Sequence, residues 1–312
     1  MIAFGPIPSR RLGRSLGINN IPLRKICSYS CIYCQVGPKQ KFSIIREPFY
    51  EPWVIQKDVE NLLSKISEAD KPDYLTFVSN GEPTLDIKLG KSIRLLKSFN
   101  IPIAVITNAS LLSNAAVRDD LMQADWVSVK VDTAEEHIWR KINRPHPRLY
   151  FSLVLDSIIK FSKEYMGTLV TETMLADGVN DSSENLQLTA DYILRVNPSI
   201  AYISVPTRPP ALSSVKPSNS EAVNRAYQIF LNRGLNAELI LGFEGTDTGY
   251  TGNAENDILN ICSVHPLRED TIQELLAKDH ADFSLVEKLI SEEKIKQLVY
   301  ESNRYYLRKH LY

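Results

Sequence analysis

From residue 74 to residue 205 the sequence alternates short apolar, β-rich runs with stretches of helical spacing. The runs at 74–78, 103–106, 126–131, 168–173 and 201–205 read as strands. Between them, apolar residues recur at helical intervals over 87–99, 111–122, 150–165 and 183–195, with further helical stretches at 54–69 and 221–233. In the stretch at 54–69 the apolar stripe is Val59, Leu62, Leu63 and Ile66. A strand returned to its neighbour by a helix closes as a parallel sheet with helices outside. With one earlier strand before Cys27, about six such units are expected over residues 1–240. That is an α/β chain forming a partial (β/α)6 TIM-like barrel, with its chemistry at the C-terminal strand ends.

The pattern changes after Leu241. The stretch GFEGTDTGYTGNAEND is rich in Gly, Thr, Asn and Asp, so 241–262 reads as a linker or lid loop. Residues 263–312 then look self-contained: helices at 268–278 and 284–292, followed by strands at 295–300 and 304–307. Helix, turn, helix, hairpin is the order of a winged-helix-like domain. Its second helix, SLVEKLISEE, is net acidic, whereas a DNA-reading helix must meet phosphates. Only the last strand, with Arg304, Tyr305, Tyr306, Arg308 and Lys309, is basic and aromatic. Docking on the barrel, or on a protein or RNA partner, is therefore expected over DNA reading.

Charge narrows the partners. The net charge of -1 excludes an indiscriminate polyanion binder. No acidic residue precedes Glu47, while Arg10, Arg11, Arg14, Arg24, Lys25, Lys39, Lys41 and Arg46 are basic. They form either a solvated face or a positive rim for an anionic ligand. The start MIAFGPIPSRR is unlike a signal peptide, and no apolar run approaches the roughly 20 residues that span a bilayer. Cytoplasmic residence with no membrane partner is expected.

Three of the 4 cysteines crowd into Cys27-Ser-Tyr-Ser-Cys31-Ile-Tyr-Cys34. Three thiolates can satisfy three irons of a cubane and leave the fourth for an exogenous ligand. Zinc would usually take four protein ligands, so a zinc site would recruit Cys262 or a His. That alternative describes a zinc-bearing, nucleic-acid-binding regulator with a winged-helix tail. The spacing, with Tyr33 at the aromatic position, resembles the C-x3-C-x-aromatic-C signature of radical S-adenosylmethionine (SAM) enzymes.

The resemblance implies one [4Fe–4S] cluster on Cys27, Cys31 and Cys34, SAM as cofactor, and the barrel of that superfamily. It implies an enzyme that reductively cleaves SAM to a 5′-deoxyadenosyl radical, fed by an external flavodoxin- or ferredoxin-type donor. Ser79-Asn80-Gly81-Glu82-Pro83 resembles the family's Gly-Glu-Pro motif, so Gly81, Glu82 and Pro83 are implied SAM contacts, together with Tyr33 and, on the ribose side, Asn108.

Lys130 and Asp132 are charges at the end of an apolar strand, and Glu172 is an inward carboxylate. Each either meets SAM or belongs to an ion-pair network. Arg10, Arg11, Arg14, Arg144, His146 and Arg208 are candidate contacts for an anionic substrate, on loops expected to open on one face. That substrate is a tRNA base, a peptide or protein side chain, or a small metabolite.

The stretch GPIPSRRLGRSLGINNIPLRKICSYSCIYCQ is similar to a subgroup akin to the wybutosine-pathway enzymes (tRNA 4-demethylwyosine synthase-like). Those carry a second cluster on extra N-terminal cysteines, and no cysteine precedes Cys27 here. Pyruvate–tRNA chemistry is therefore not expected. Cys262 reads as a buried small hydrophobe or as a ligand or hydrogen donor.

Overall fold

The computed structural model describes residues 2–22, 25–38, 41–67 and 70–309. Arg24 and Lys39, named above, and residue 69 of the helical stretch 54–69 lie outside them. The chain runs β1 (Ala3–Ser9), β2 (Gly13–Ile18), β3 (Ile26–Cys27), β4 (Lys41–Phe42), α1 (Pro52–Leu63), β5 (Tyr74–Phe77), α2 (Leu89–Leu96) and β6 (Ile103–Thr107). Then come α3 (Ala115–Leu121), β7 (Trp126–Lys130), α4 (Glu136–Ile142), α5 (Phe151–Glu164), β8 (Thr168–Met174), α6 (Ser183–Val196), β9 (Ile200–Ser204), α7 (Ser220–Asn232) and β10 (Ala237–Ile240). The last part holds α8 (Ala254–Val264), β11 (Leu267–Arg268), α9 (Glu269–Lys278), α10 (Ser284–Ser291), β12 (Ile295–Tyr300) and β13 (Asn303–Arg308).

Eight strands form one curled half-barrel sheet in the order β1-β2-β5-β6-β7-β8-β9-β10. All neighbours are parallel except β1, which runs antiparallel to β2. The five expected strands are present to within a residue or so. They read as nearly unbroken apolar runs because parallel strands are covered on both faces. Outward residues such as Phe77, Val105, Val127 and Ile203 join the main core. Inward residues Ala104, Trp126, Val170, Tyr202 and Ile240 close around Leu12 and fill the base of the barrel.

Helix starts follow local chemistry. Pro52 opens α1, where a missing N–H costs nothing. Asn114, Ser182 and Asn219 cap α3, α6 and α7 by accepting from Ala116 N, Asn185 N and Ala222 N. The Asn114 cap is why α3 begins later than the apolar spacing from residue 111 suggests.

Four elements depart from expectation. Strand β1, AFGPIPS, carries two prolines that argue against a strand, yet it lies at the sheet edge where a missing donor is tolerated. Strand β10 closes the other edge, and α4 follows β7 directly. The stretch 241–262 is not all loop: α8 begins at Ala254, where Asn253 accepts from Asn256 N and Ile258 and Ile261 turn inward. The Gly- and Asn-rich composition concealed that start.

The C-terminal part is α8, a two-residue strand, two helices and a hairpin, with an antiparallel sheet ordered β11-β13-β12. Its core of Ile258, Ile261, Ile272, Leu275, Val286, Leu289 and Tyr306 also takes in Phe4 and Ile7 of β1. The tail is thus packed onto the barrel's first strand. Among the described residues no helix is long and apolar enough to cross a membrane.

Candidate cluster and cofactor site

Because β2 and β5–β10 are parallel, the segments that follow β2 and β5 to β9 gather at one end of the sheet. The cysteine loop follows β2. Ile26 N donates to Asn80 O at 3.0 Å and Glu82 N donates to Ile26 O at 3.0 Å, stapling the loop to the segment after β5. Gly81 sits at the crossing with φ 141, and a Cβ there would lie 1.7 Å from Ile26 O. Only glycine fits.

A second template holds the other side. Ser30 N donates to the Asn143 and Arg144 carbonyls at 3.0 and 3.1 Å, Ile32 N donates to Ile142 O at 3.0 Å, and His146 N donates to Ser28 O at 2.8 Å. Arg144 and His146, expected as substrate contacts, brace the cysteine loop with their backbones. The Arg144 side chain is exposed, and the His146 ring lies 4.9 Å from that of Phe42.

One buried cation stands beside the thiols. Lys25, 2% exposed, places its ammonium 3.0 Å from Cys34 Sγ. Burial works against its charge, but Cys34, Cys27 and Cys31 together raise its pKa. Asn108 Nδ2 lies 3.6 Å from Cys27 Sγ and Asn143 Nδ2 3.5 Å from Cys31 Sγ. Burial pushes the metal-free Cys27 thiol up to about 12 and that of Cys31 to about 11. Metal binding must therefore displace their protons.

Glu82 is almost wholly buried. Its carboxylate accepts from Thr84 N (3.1 Å), Thr84 Oγ1 (2.6 Å), Thr107 Oγ1 (2.6 Å) and Asn108 N (2.7 Å). Burial raises its pKa while these four bonds pull it back. The side chain ties two loops together, so what this turn offers a ligand is backbone. Pro83 opens a 3-10 turn capped by Glu82.

Asp132 is equally occupied. It accepts from Tyr33 Oη at 2.5 Å, Asn143 Nδ2 at 2.6 Å and Met174 N at 2.9 Å. Glu172 accepts from Lys130 at 3.0 Å, Ser204 Oγ at 2.9 Å and Arg11. Burial raises its pKa, but Arg11 and Lys130 outweigh that and hold the carboxyl well below the usual range. The Lys130 ammonium lies 5.1 Å from the Tyr33 ring centre. Lys130 and Glu172 thus form an ion-pair network with Arg11, whereas Asp132 is held by hydrogen bonds alone.

The basic loops do not all open on one face. Since β1 is antiparallel to β2, residues 10–12 turn at the opposite end of the sheet. Arg14 stays outside, bonded to Asp70 at 2.8 Å and Asp247 at 2.9 Å. Arg46 bonds the Thr84 and Asp86 carbonyls and Asp120, so the early basic run is largely structural. Arg11 reaches inward to Glu172, and Arg10 donates to Ile240 O at 3.2 Å and Gly242 O at 2.8 Å. From the far end, Arg208 donates to Gln35 Oε1 at 2.8 Å and to Glu244.

Asn143, Glu244 and His265 escape sequence reasoning because their partners lie far along the chain; Lys25 sits beside the motif and Asn80 within the Gly81 turn, but neither carried a signal of its own. Cys262 donates to Tyr306 O at 3.3 Å within the tail core, and burial pushes its thiol up to about 12. It packs.

The donor set fits a cubane. Among the described residues no three His, Cys, Asp or Glu side chains are gathered tightly enough for a single metal ion; a cubane spreads its three cysteines over three irons. The side-chain amide of Asn80, fully buried beside Gly81, has no hydrogen-bond partner on either atom. Such a group costs about 1–3 kcal/mol unless something binds it. The model of the Radical SAM superfamily matches residues 21–189, more than half of the chain. A UPF0026 protein of Methanocaldococcus jannaschii is 45% identical over 309 residues, 98% of this chain and 96% of its own length.

The chain is a radical SAM protein of the UPF0026 family. Proteins of this superfamily are enzymes that use a [4Fe–4S] cluster and SAM. A radical SAM methyltransferase from Sphaerobacter thermophilus superposes with a TM-score of 0.57 at 17% identity, covering 72% of this chain and 65% of its own. SuiB of Streptococcus suis, solved with S-adenosylmethionine, gives 0.54 at 13% identity over 74% of this chain and 52% of its own. Both likenesses concern the fold. In this radical SAM protein Cys27, Cys31 and Cys34 would hold the irons, and the turn at Asn80-Gly81-Glu82 the cofactor. Neither the comparisons nor the geometry support the zinc regulator.

Proposed function

We propose that this chain cleaves SAM reductively and turns the resulting radical on a small anionic substrate inside the half-barrel. The observation that carries the reading is the cysteine loop at the strand-end mouth, stapled by backbone bonds to the Gly81 turn and to residues 142–146, with Lys25 3.0 Å from Cys34 Sγ. Held by Cys27, Cys31 and Cys34, a cluster would supply the electron for reductive cleavage of SAM, and SAM the group that takes a hydrogen atom from substrate.

The protein's own part is positional. The backbones of 79–82 and 142–146 fix the cysteine loop, Lys25 offsets thiolate charge, and Tyr33 is held by Asp132. Within the superfamily we favour the group similar to the wybutosine-pathway tRNA enzymes, without their second cluster.

A small anionic substrate is favoured because Arg10, Arg11 and Arg208 line one compact interior cavity of about 110 Å3, which expands when a wall group withdraws. Typical ligand pockets run from about 300 Å3 upward. We read the tail as a winged-helix-like unit that docks on the barrel, since Gln35 Nε2 donates to Val264 O at 2.9 Å. The electron donor we assign to the flavodoxin or ferredoxin type.

Anaerobically reconstituted protein should bind about four irons and, with dithionite, release 5′-deoxyadenosine from SAM. A Cys31→Ala variant should do neither. If it cleaves SAM at the unaltered rate, the ligand assignment is wrong.

A further inference from the structure

Glu244 is a carboxylate in an unusual position. It belongs to the loop between β10 and α8, flanked by Gly242 and Gly245 at positive φ, and its side chain is only 4% exposed. It pairs with Arg208, lies 3.0 Å from His265 Nε2, and approaches Arg10 Nε at 3.9 Å. Those three groups come from three separate parts of the chain: the turn after β1, the segment after β9, and the end of α8. Arg208 is in turn positioned by Gln35, the residue after the cluster ligand Cys34.

Two cavities meet at this pair. The interior space of about 110 Å3 and an outer groove of about 300 Å3, between the segment after β9 and the tail, both have Arg208 and Glu244 in their walls. Withdrawal of Glu244 would open the one toward the other. The lining is also over-supplied with positive charge. Arg10, Arg11 and Arg208 face Glu172 and Glu244, and Lys130 already shares Glu172. Burial, with Arg10 and Arg11 close by, pushes Arg208 down to about 9. A further anion would relieve that strain on its charge.

We infer that Glu244 is a built-in stand-in: the Arg208–Arg10–His265 cluster is a carboxylate subsite, and a carboxylate of the substrate displaces Glu244 from it. A guanidinium fork suits a planar carboxylate, and the outgoing and incoming groups are chemically alike. The exchange is therefore close to balanced, the incoming carboxylate replacing the one withdrawn. The inference rests on the small-anion reading above and names its substrate class.

The test is calorimetric titration of the cluster-loaded protein with malonate and, separately, with inorganic phosphate. If Glu244 fills the subsite nine-tenths of the time or more, its removal should tighten apparent malonate binding by about tenfold or more. Glu244→Gln should show that gain, and the Glu244→Gln/Arg208→Gln double variant should lose it. Equal affinity in the unaltered and Glu244→Gln proteins, or retention in the double variant, overturns the subsite. Phosphate binding more tightly than malonate overturns its assignment to carboxylate.

Should Glu244→Gln fail to fold, Glu244→Asp, which withdraws the charge by one methylene, should give a smaller gain in the same direction; no gain counts against the subsite. SAM cleavage is measured on the unaltered protein in parallel. Cleavage without a malonate difference sinks the subsite alone. A malonate difference without cleavage sinks the radical reading alone.

Discussion

The two walls of the barrel interior are built on different terms. On the cysteine side, the loop is fixed by backbone hydrogen bonds to residues 80, 82 and 142–146, and the buried carboxylates of Glu82 and Asp132 are fully bonded to neighbours from fixed elements. On the arginine side, Arg208 and Arg10 are satisfied by a carboxylate from an irregular loop and by carbonyls near it. Rigid backbone templates suit an object of fixed shape, and side-chain ion pairs on a loop suit a guest that comes and goes. The difference separates the part that holds a permanent cofactor from the part that meets a changing ligand.

The harshest way to break this contrast is Gly81→Ala. A Cβ placed 1.7 Å from Ile26 O cannot be absorbed by a side-chain shift. Overpacking at a backbone crossing with positive φ should cost about 3 kcal/mol or more, read by denaturant unfolding of metal-free protein. Normal stability with normal iron binding would mean the template is not rigid.

Glu172 joins the two walls, so Glu172→Gln should come next. Removing one member of a buried network leaves Arg11 and Lys130 under-compensated, at about 3–5 kcal/mol. The sign with pH follows from its depressed pKa. Its stabilisation is fully present above the unfolded value, near 4.3, and is lost as pH falls below it. The unaltered protein should therefore lose stability on acidification below about pH 4 more steeply than Glu172→Gln. Parallel acid profiles would refute the network's role.

Asn80→Ala sharpens the comparison most gently. The amide is unpaired without ligand, so its loss should leave the metal-free protein as stable or more so. SAM binding to the reconstituted protein should weaken by about 1–3 kcal/mol, measured by equilibrium dialysis. Unchanged SAM affinity would mean that Asn80 does not face the cofactor.

The cysteine loop and the strand–helix rhythm were legible because each is a local pattern: Cys27, Cys31 and Cys34 lie within one turn of chain, and strands such as 103–106 are continuous apolar runs. What stayed hidden depends on distant pairing. Nothing near Asp132 in sequence announces Tyr33 as its partner, and nothing near Glu244 announces Arg208. The basic loops misled because the antiparallel setting of β1, whose prolines disguise it, sends residues 10–14 to the far end of the sheet. Asn253, as a helix cap, looked like more loop.

One consequence lies in the timing of assembly. Phe4 and Tyr306 stand at opposite ends of the described residues, yet share one apolar cluster. A ribosome delivers the first long before the second, so the edge strand must wait, partly uncovered, until the tail emerges. Nascent chains halted before α8 should be recognised by chaperones as unfinished.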